Sequence, residues 1–402
     1  MSISSLTYLA PIRKAAVGRT LDYQLLETAG ELYTAGEFLA SAQTVFRHLF
    51  PDGEPPDLAA GFAFTQGSSR VTARITDGVC FLSVPMARLP TTGSGVAALR
   101  YVLTRINGSG QLHQARLHGE DIHLEFTEKL SALHPQKLIE VLRRMPVVAD
   151  QHDDWMASQF GVTPLDRGTV GALDDDELER AEQGWRTHWN DVEELLTESQ
   201  RKRSQFFLNE VTSFALQRIR FVLPVGGSVL PRMLESANTF NDSDVDPRKR
   251  ETTLAKCIKD MKAISSDELR RSVGHVEYAI NPFTEGTPAR LSSFFGPGNY
   301  MNTIKKFRAA GQSMDTALPL IGTYYYLLAT HSWPTEIGLA MQAGLASASD
   351  KPWREAAGIM LDHAEQLVER YRDEPEDEDG EEEGDDEADA GDAAEPDQEQ
   401  AQ

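Results

Sequence analysis

The run Gly61 to Val84, GFAFTQGSSRVTARITDGVCFLSV, decides the class of the first half of the chain. Phe62 and Phe64 alternate with small or polar neighbours, and after the turn residues Gly67-Ser68-Ser69, Val71, Ala73 and Ile75 alternate with Arg70, Thr72, Arg74 and Thr76. A period of two places one set on each face of a strand. Asp77-Gly78 is a strong short hairpin signal, because both residues tolerate the positive φ of a two-residue hairpin turn. Val79 to Val84 is apolar on both faces, as expected of a strand covered on both sides or central to its sheet. Three antiparallel strands are predicted.

Upstream, Tyr33, Phe38, Leu39, Ala42, Val45, Phe46 and Leu49 recur at three- and four-residue spacing, which predicts one helix with a buried face from Tyr33 to Leu49. It stops at the proline-rich stretch Pro51 to Pro56. Downstream, Pro85 to Gly95 punctuates, and Val96, Leu99, Val102, Leu103 and Ile106 mark a helix ending near Asn107-Gly108. Gly110 to Leu117 and Asp121 to Phe126 read as a hairpin turned at Gly119. Pro135 opens a last helix, with Leu138, Val141, Leu142 and Met145 on one face before Pro146. The order is α-β-β-β-α-β-β-α.

Beyond about residue 165 the strand signals fade. Leu173-Asp174-Asp175-Asp176-Glu177-Leu178 opens a long helix, its carboxylates meeting the unpaired N–H groups and positive dipole of a helix start. Trp185, Trp189, Val192, Leu195 and Leu196 continue the stripe, and Phe206 to Phe221 resume it. Further helices are expected near 250–263, 267–280, 299–311, 316–330, 334–347 and 352–371. The run Thr316 to Thr330 is too short for a membrane span and reads as a buried helix.

Sixty-two acidic against 39 basic side chains give a net charge of −23, but 17 of the acids lie in residues 373–402, which carry no Lys or Arg. The body is therefore nearly balanced, which excludes a basic nucleic-acid binder. The tail offers too little apolar surface to offset the entropy of ordering it. Either it maintains solubility or it recruits a basic partner segment. Cys80 and Cys257 are too few for a disulfide framework and read as buried hydrophobes of a reducing, cytoplasmic compartment. The fold expected is an α+β domain with an antiparallel sheet, then a mainly α-helical domain and a disordered acidic tail. Its divisions are an extension over 1–30, the α+β domain over 31–165, the helical domain over 166–372 and the tail over 373–402.

The strand run Gly61 to Val84, the helix around Val96 to Ile106, the hairpin Leu112 to Phe126 and the closing helix Pro135 to Met145 together resemble the small α+β fold of bacterial type III secretion chaperones and the related YbjN-type proteins. The resemblance covers about residues 31–150, and no family is recognised for the helical half. It implies a non-enzymatic, cytoplasmic and often dimeric chaperone or adaptor that holds a partner protein's segment against apolar patches on sheet and helices. Fold-level likeness alone does not carry function.

Other constellations reduce to structure. Asn241 to Asp246 opens like a calcium loop, but Pro247 and Thr253 stand where that loop needs glycine and glutamate. An Asx-rich loop before the basic helix Arg248-Lys249-Arg250 is expected. His118 and His123 flank Glu120 and Asp121 without a third donor, and strand alternation points His123 to water. Gly93-Ser94-Gly95 and Gly226-Gly227 lack the spacing and lysine of a nucleotide loop. Phe294 to Tyr300 reads as a buried loop-to-helix junction, and Arg201-Lys202-Arg203 as a solvated face. No catalytic, cofactor-binding or metal residue is nominated, and no cofactor. Two other readings stand beside the binding protein. One is an enzyme assembling dispersed groups of the helical half, such as His188, His275, His331 and His363, and the other is a structural subunit of a larger assembly.

Overall fold

A computed structural model describes residues 3–12, 23–51, 55–91, 93–107, 112–166, 171–227, 229–275, 278–281 and 283–372. Two helices, α1 (Tyr23–Thr34) and α2 (Phe38–Leu49), precede strands β1 (Phe62–Gln66), β2 (Ser69–Thr76) and β3 (Val79–Arg88). Helix α3 (Ser94–Tyr101) runs on into a π-helical turn, Val102–Ile106. Strands β4 (Gln114–His118) and β5 (Asp121–Lys129), helix α4 (Pro135–Phe160) and the short β6 (Thr163–Pro164) complete the α+β region. The sheet is antiparallel in the order β1-β2-β3-β5-β4, with β6 against the end of β3. Helices α2 and α4 cover one face, burying Val71, Ala73, Cys80, Leu82, Val84 and Leu124. On the other face Phe81 is exposed and Ser83, His123 and Glu125 are half-buried.

The helical half follows as α5 (Asp175–Lys202), α6 (Gln205–Val222), α7 (Val229–Phe240), α8 (Pro247–Lys262), α9 (Ser266–Arg271), α10 (Pro288–Phe295), α11 (Asn299–Ala309), α12 (Ser313–Thr330), α13 (Thr335–Ser347) and α14 (Trp353–Arg370). Two short segments, β7 (Thr284–Glu285) and β8 (His331–Ser332), form a parallel pair. Helix α12, the expected buried helix, contacts α6, α11, α13 and α14. Among the described residues no helix is long and apolar enough to cross a membrane. The carboxylates expected at the start of α5 are there, and two of the residues form a capping box: Asp174 accepts from the Glu177 N–H at 2.7 Å and Glu177 accepts from the Asp174 N–H at 3.1 Å. Both cysteines are buried, and desolvation pushes their thiols up to about 12 for Cys80 and about 11 for Cys257, so neither is a reactive thiolate.

Several sequence expectations are corrected. The helix predicted from Tyr33 to Leu49 is two. Gly36 at φ +83° ends α1 in a reversed turn, with Gly36 N–H donating to Tyr33 O at 3.0 Å and Glu37 N–H to Leu32 O at 2.9 Å. A Cβ at Gly36 would meet open space, so the demand is on the backbone alone. Gly36→Ala is expected to cost about 1–2 kcal/mol in urea unfolding, the penalty of a left-handed L-residue, with unchanged circular dichroism. Strand β3 does not stop at Pro85 but reaches Arg88, because a bulge between Pro85 and Ala87 absorbs the missing N–H. Of the two alternatives expected for β3 the second holds: it is the central strand of β1-β2-β3-β5-β4, while one of its faces leaves Phe81 36% exposed.

Helix α4 runs through Pro146 to a left-handed Gly161. Burial of Met145, Ala149 and Met156 outweighs the lost hydrogen bond. The helix expected at 267–280 ends at Arg271, since Val273 and His275 pair instead with Val225 and Gly171. Helices α7 and α10 lie where the sequence spacing marks no helix. The 1–30 extension is divided: Ile3, Leu6 and Ile12 lie in the helical core, held there by Ile12 N–H on Val222 O and Asp350 N–H on Leu6 O, both at 2.8 Å, whereas α1 packs on α2. Arg250 of the basic helix turns inward and is buried, donating to Phe240 O at 2.8 Å and Asn209 Oδ1 at 2.7 Å. The acidic tail lies outside the described residues.

Candidate functional site

The site is built where α2 begins. The turn at Gly36 aims the first turn of α2 across the β2–β3 hairpin, whose Asp77 and Gly78 both have positive φ, as a two-residue hairpin requires. The end of β5 closes the third side, Leu130 N–H donating to Gly78 O at 2.8 Å. Between them lies a groove of about 680 Å³, lined among others by Phe38, Leu39, Val79, Lys129 and Leu130. Leu39, expected on the buried face of its helix, is 48% exposed at the rim. Its 100° neighbourhood on α2 is not the one turned to the sheet; Ala42, Val45, Phe46 and Leu49 are.

From Val79 the open face of β3 continues to Phe81, which carries the Arg74 guanidinium 5.7 Å above its ring. Farther along the same face the surface turns polar. Ser83 Oγ lies 3.2 Å from His123 Nδ1, His118 Nε2 lies 2.6 Å from Glu125 Oε1, and Arg88 holds Asp121 through two bonds of 2.6 and 2.9 Å. Burial and the neighbouring His118 hold the His123 imidazole below its ordinary value. His118 and His123 thus meet, 5.2 Å between ring centroids, on the open face that strand alternation assigns to His123. Among the described residues no group of three or more His, Cys, Asp or Glu is placed to hold a metal ion.

Both sheet edges are met by carboxamides. At β1, the buried Gln66 side chain donates to Ile280 O at 2.6 Å and accepts from Ile280 N–H at 2.9 Å, so a segment of the helical half is tied to the sheet edge. At β4, Asn107 Oδ1 accepts from Ala115 N–H at 2.6 Å.

The four histidines considered for catalysis go to four different places. His188 is fully buried in the helical core, its Nε2 on Ala215 O at 2.9 Å, and burial followed by the nearby Arg218 holds it well below its ordinary value, hence neutral. His275 meets Glu177 at 3.3 Å, His331 accepts from Arg290 at 3.2 Å, and His363 meets the Tyr324 hydroxyl at 2.7 Å. They share no partner. Asn241 to Asp246 forms turns and a cap: Asp242 accepts from Asp244 N–H at 2.9 Å and Asp246 caps α8 through Arg248 N–H at 3.0 Å. Arg201 pairs with Glu198 and Lys202 with Asp315, while Phe295 is buried against Tyr324 as a junction residue. No individual binding residue was legible beforehand. The unexpected exposure of Leu39, Phe81, Val96 (59%) and Leu103 (64%) is the signal that periodicity missed. No family model matches the chain, and no curated protein matches it.

Proposed function

We propose that the chain is a non-enzymatic, cytoplasmic chaperone or adaptor that holds an apolar segment of a partner protein in the groove at the start of α2 and along the open face of β3. One observation carries this reading. Of the eight large hydrophobic side chains exposed among the described residues, seven (Leu25, Leu39, Phe81, Val96, Leu103, Leu112 and Leu117) belong to the α+β region, and only Leu339 to the helical half. Contiguous apolar surface marks an interaction surface where scattered side chains do not, and of these seven Leu39 lines the groove and Phe81 lies two residues along β3 from its lining residue Val79. The secretion-chaperone-like element order supports the same reading by analogy, since that family holds partner segments on its sheet and helices.

The mechanism needs no chemistry. Leu39 and Phe81 are 48% and 36% exposed, so covering what remains against a partner's apolar side chains contributes about 1 kcal/mol each, a fraction of the roughly 1.5–3 kcal/mol of a full burial. Full-length protein and a Leu39→Asp/Phe81→Asp variant are to be compared in affinity capture from native extract, with mass spectrometry of what is retained. One stoichiometric protein that the wild type retains and the variant loses by about tenfold or more is the expected result. Identical recovery by both would remove the groove from the binding surface.

A further inference from the structure

Helix α8 carries a stripe of positive charge on its outer face. Its inward face is apolar, with Leu254, Cys257, Ile258 and Met261 buried against the helical core, which leaves Arg248, Lys249, Lys256, Lys259 and Lys262 exposed on the other side. At roughly 100° per residue the five fall within one arc of about 140°. Only Thr252, Ala255 and Ala263 lie among them, and Glu251 and Asp260 stand at the two borders. Lys262 is engaged by Glu193 at 2.7 Å, whereas among the described residues no carboxylate forms an ion pair with Arg248, Lys249, Lys256 or Lys259. Lys256, Lys259 and Lys262 succeed one another at three-residue spacing, so like charges are crowded on one face and repel. An anion laid along the stripe relieves this.

The chain supplies such an anion itself. Asp373 to Glu387, which follow the last described residue, hold 12 carboxylates in 15 residues and no Lys or Arg. They run from α14, which packs on α12, as α12 does on α6 and α6 on α8. Three helix-to-helix steps of roughly 8–10 Å place α8 about 25–30 Å away, and 15 residues span up to about 50 Å. The lengths agree as well. From Arg248 to Lys262 the stripe is about 21 Å long, and Glu381 to Glu387, seven residues with six carboxylates, cover about 24 Å when extended. Tethering holds the segment at a roughly millimolar effective concentration, so a free acidic segment competes at a disadvantage. We propose that the stretch Asp373 to Glu387 lies along the exposed cationic face of α8 and covers it. This contact is independent of the groove at α2.

The test uses the full-length protein and a zero-length carbodiimide, which joins a carboxylate to a lysine amine only where the two meet, with the joined peptides read by mass spectrometry. Lys305 and Lys306 of α11 report simple proximity, because Lys305 meets Glu365 of α14, the helix from which the tail runs, at 2.6 Å. In about 20 mM salt, links from residues 373–387 to Lys256 and Lys259 are expected to exceed those to Lys305 and Lys306 about fivefold, and in about 0.5 M salt to fall about tenfold. The variant Arg248→Gln/Lys249→Gln/Lys259→Gln, changed only at exposed positions, should cut the yield at Lys256 about threefold or more, as its field weakens. An equal mixture of isotope-labelled and unlabelled protein identifies the occupant. Links within one chain carry a single label, whereas mixed-label links would show a second copy's tail on the stripe and overturn the proposal. So would links that favour Lys305 and Lys306, or a yield at Lys256 that neither salt nor the triple variant changes.

Discussion

Arg218→Ala is expected to lower the unfolding free energy by about 3–5 kcal/mol in urea at neutral pH, the cost of leaving one partner of a buried ion pair alone. Arg218 sits on α6 with its side chain 1% exposed, and donates through one terminal nitrogen to Asp191 Oδ2 at 2.6 Å and through the other to Thr7 O. Its guanidinium also lies 5.2 Å from the centroid of the Phe214 ring and 5.9 Å from that of Tyr325. Truncation therefore does three things at once. It strands the Asp191 carboxylate, which burial already pushes up against the pull of Arg218, it frees the Thr7 carbonyl, and it opens a void between two aromatic rings. Because Thr7 belongs to the segment held on the helical core, hydrogen exchange at Tyr8 and Ile12 should accelerate in the same variant. Arg218→Met combined with Asp191→Leu should regain much of the loss, since an apolar pair of similar volume replaces the ions. A loss under about 1 kcal/mol in the single variant would mean that the pair behaves as an exposed one.

Glu210→Gln is expected to stabilise the protein in a pH-dependent way. Glu210 lies on α6 toward α12, where its Oε2 is 3.8 Å from the position a Cβ would take at Gly322. It neighbours Tyr300, whose hydroxyl is shared with Thr323 at 2.8 Å. Burial without a compensating positive charge pushes its carboxyl up to about 7 from an ordinary 4.5. The folded protein thus holds this proton more tightly than the unfolded chain. Below about pH 4.5 both states are protonated and the residue costs nothing. As pH rises toward 7 the unfolded chain ionises first, and stability is lost across that interval; above 7 the loss is complete.

At about 1.36 kcal/mol for each pH unit between the two midpoints, and allowing for the partial exposure of the side chain, the loss is about 2–3 kcal/mol. The neutral isostere lacks it. Glu210→Gln should therefore match the wild type within about 1 kcal/mol at pH 5 and exceed it by about 2–3 kcal/mol at pH 8.5. Denaturant midpoints at the two values check this, and a difference independent of pH would show that Glu210 is solvated.

Much of the architecture was readable in advance, and the residues that carried it share a property: they act over a few positions. The alternation of Val71, Ala73 and Ile75, the Asp77-Gly78 turn, Pro135 at a helix start and the carboxylates ahead of α5 each state a local backbone preference, and each is found where expected. Gly36 is equally local, but the hydrophobic period continues across it and hides the break between α1 and α2. Pro146 failed in the opposite direction. Its local tendency to end a helix yields to the packing of Met145, Ala149 and Met156, which no window around the proline displays.

The candidate sites were less legible, for a related reason. Periodicity tells which side chains share a face, and it held for Ala42, Val45, Phe46 and Leu49, but Leu39 falls outside that face and the alternation of β3 cannot tell that the face of Phe81 will stay uncovered. Coverage depends on partners far along the chain: α4 lies on one face of the sheet, the other leaves Phe81 exposed, and Leu39 lies at the rim of the groove beside Val79. The same holds for Trp189, Arg218 and Glu210. The sequence by itself determined the class of each half, the strand order up to pairing, most helix starts and the segregation of charge into the tail, because these follow from backbone preference and composition. Only the tertiary structure decided that Arg218 would meet Thr7 across 211 positions, that Trp189 would be fully buried, and that Leu39 and Phe81 would stay at the surface, because burial is set by which distant segments arrive and which do not.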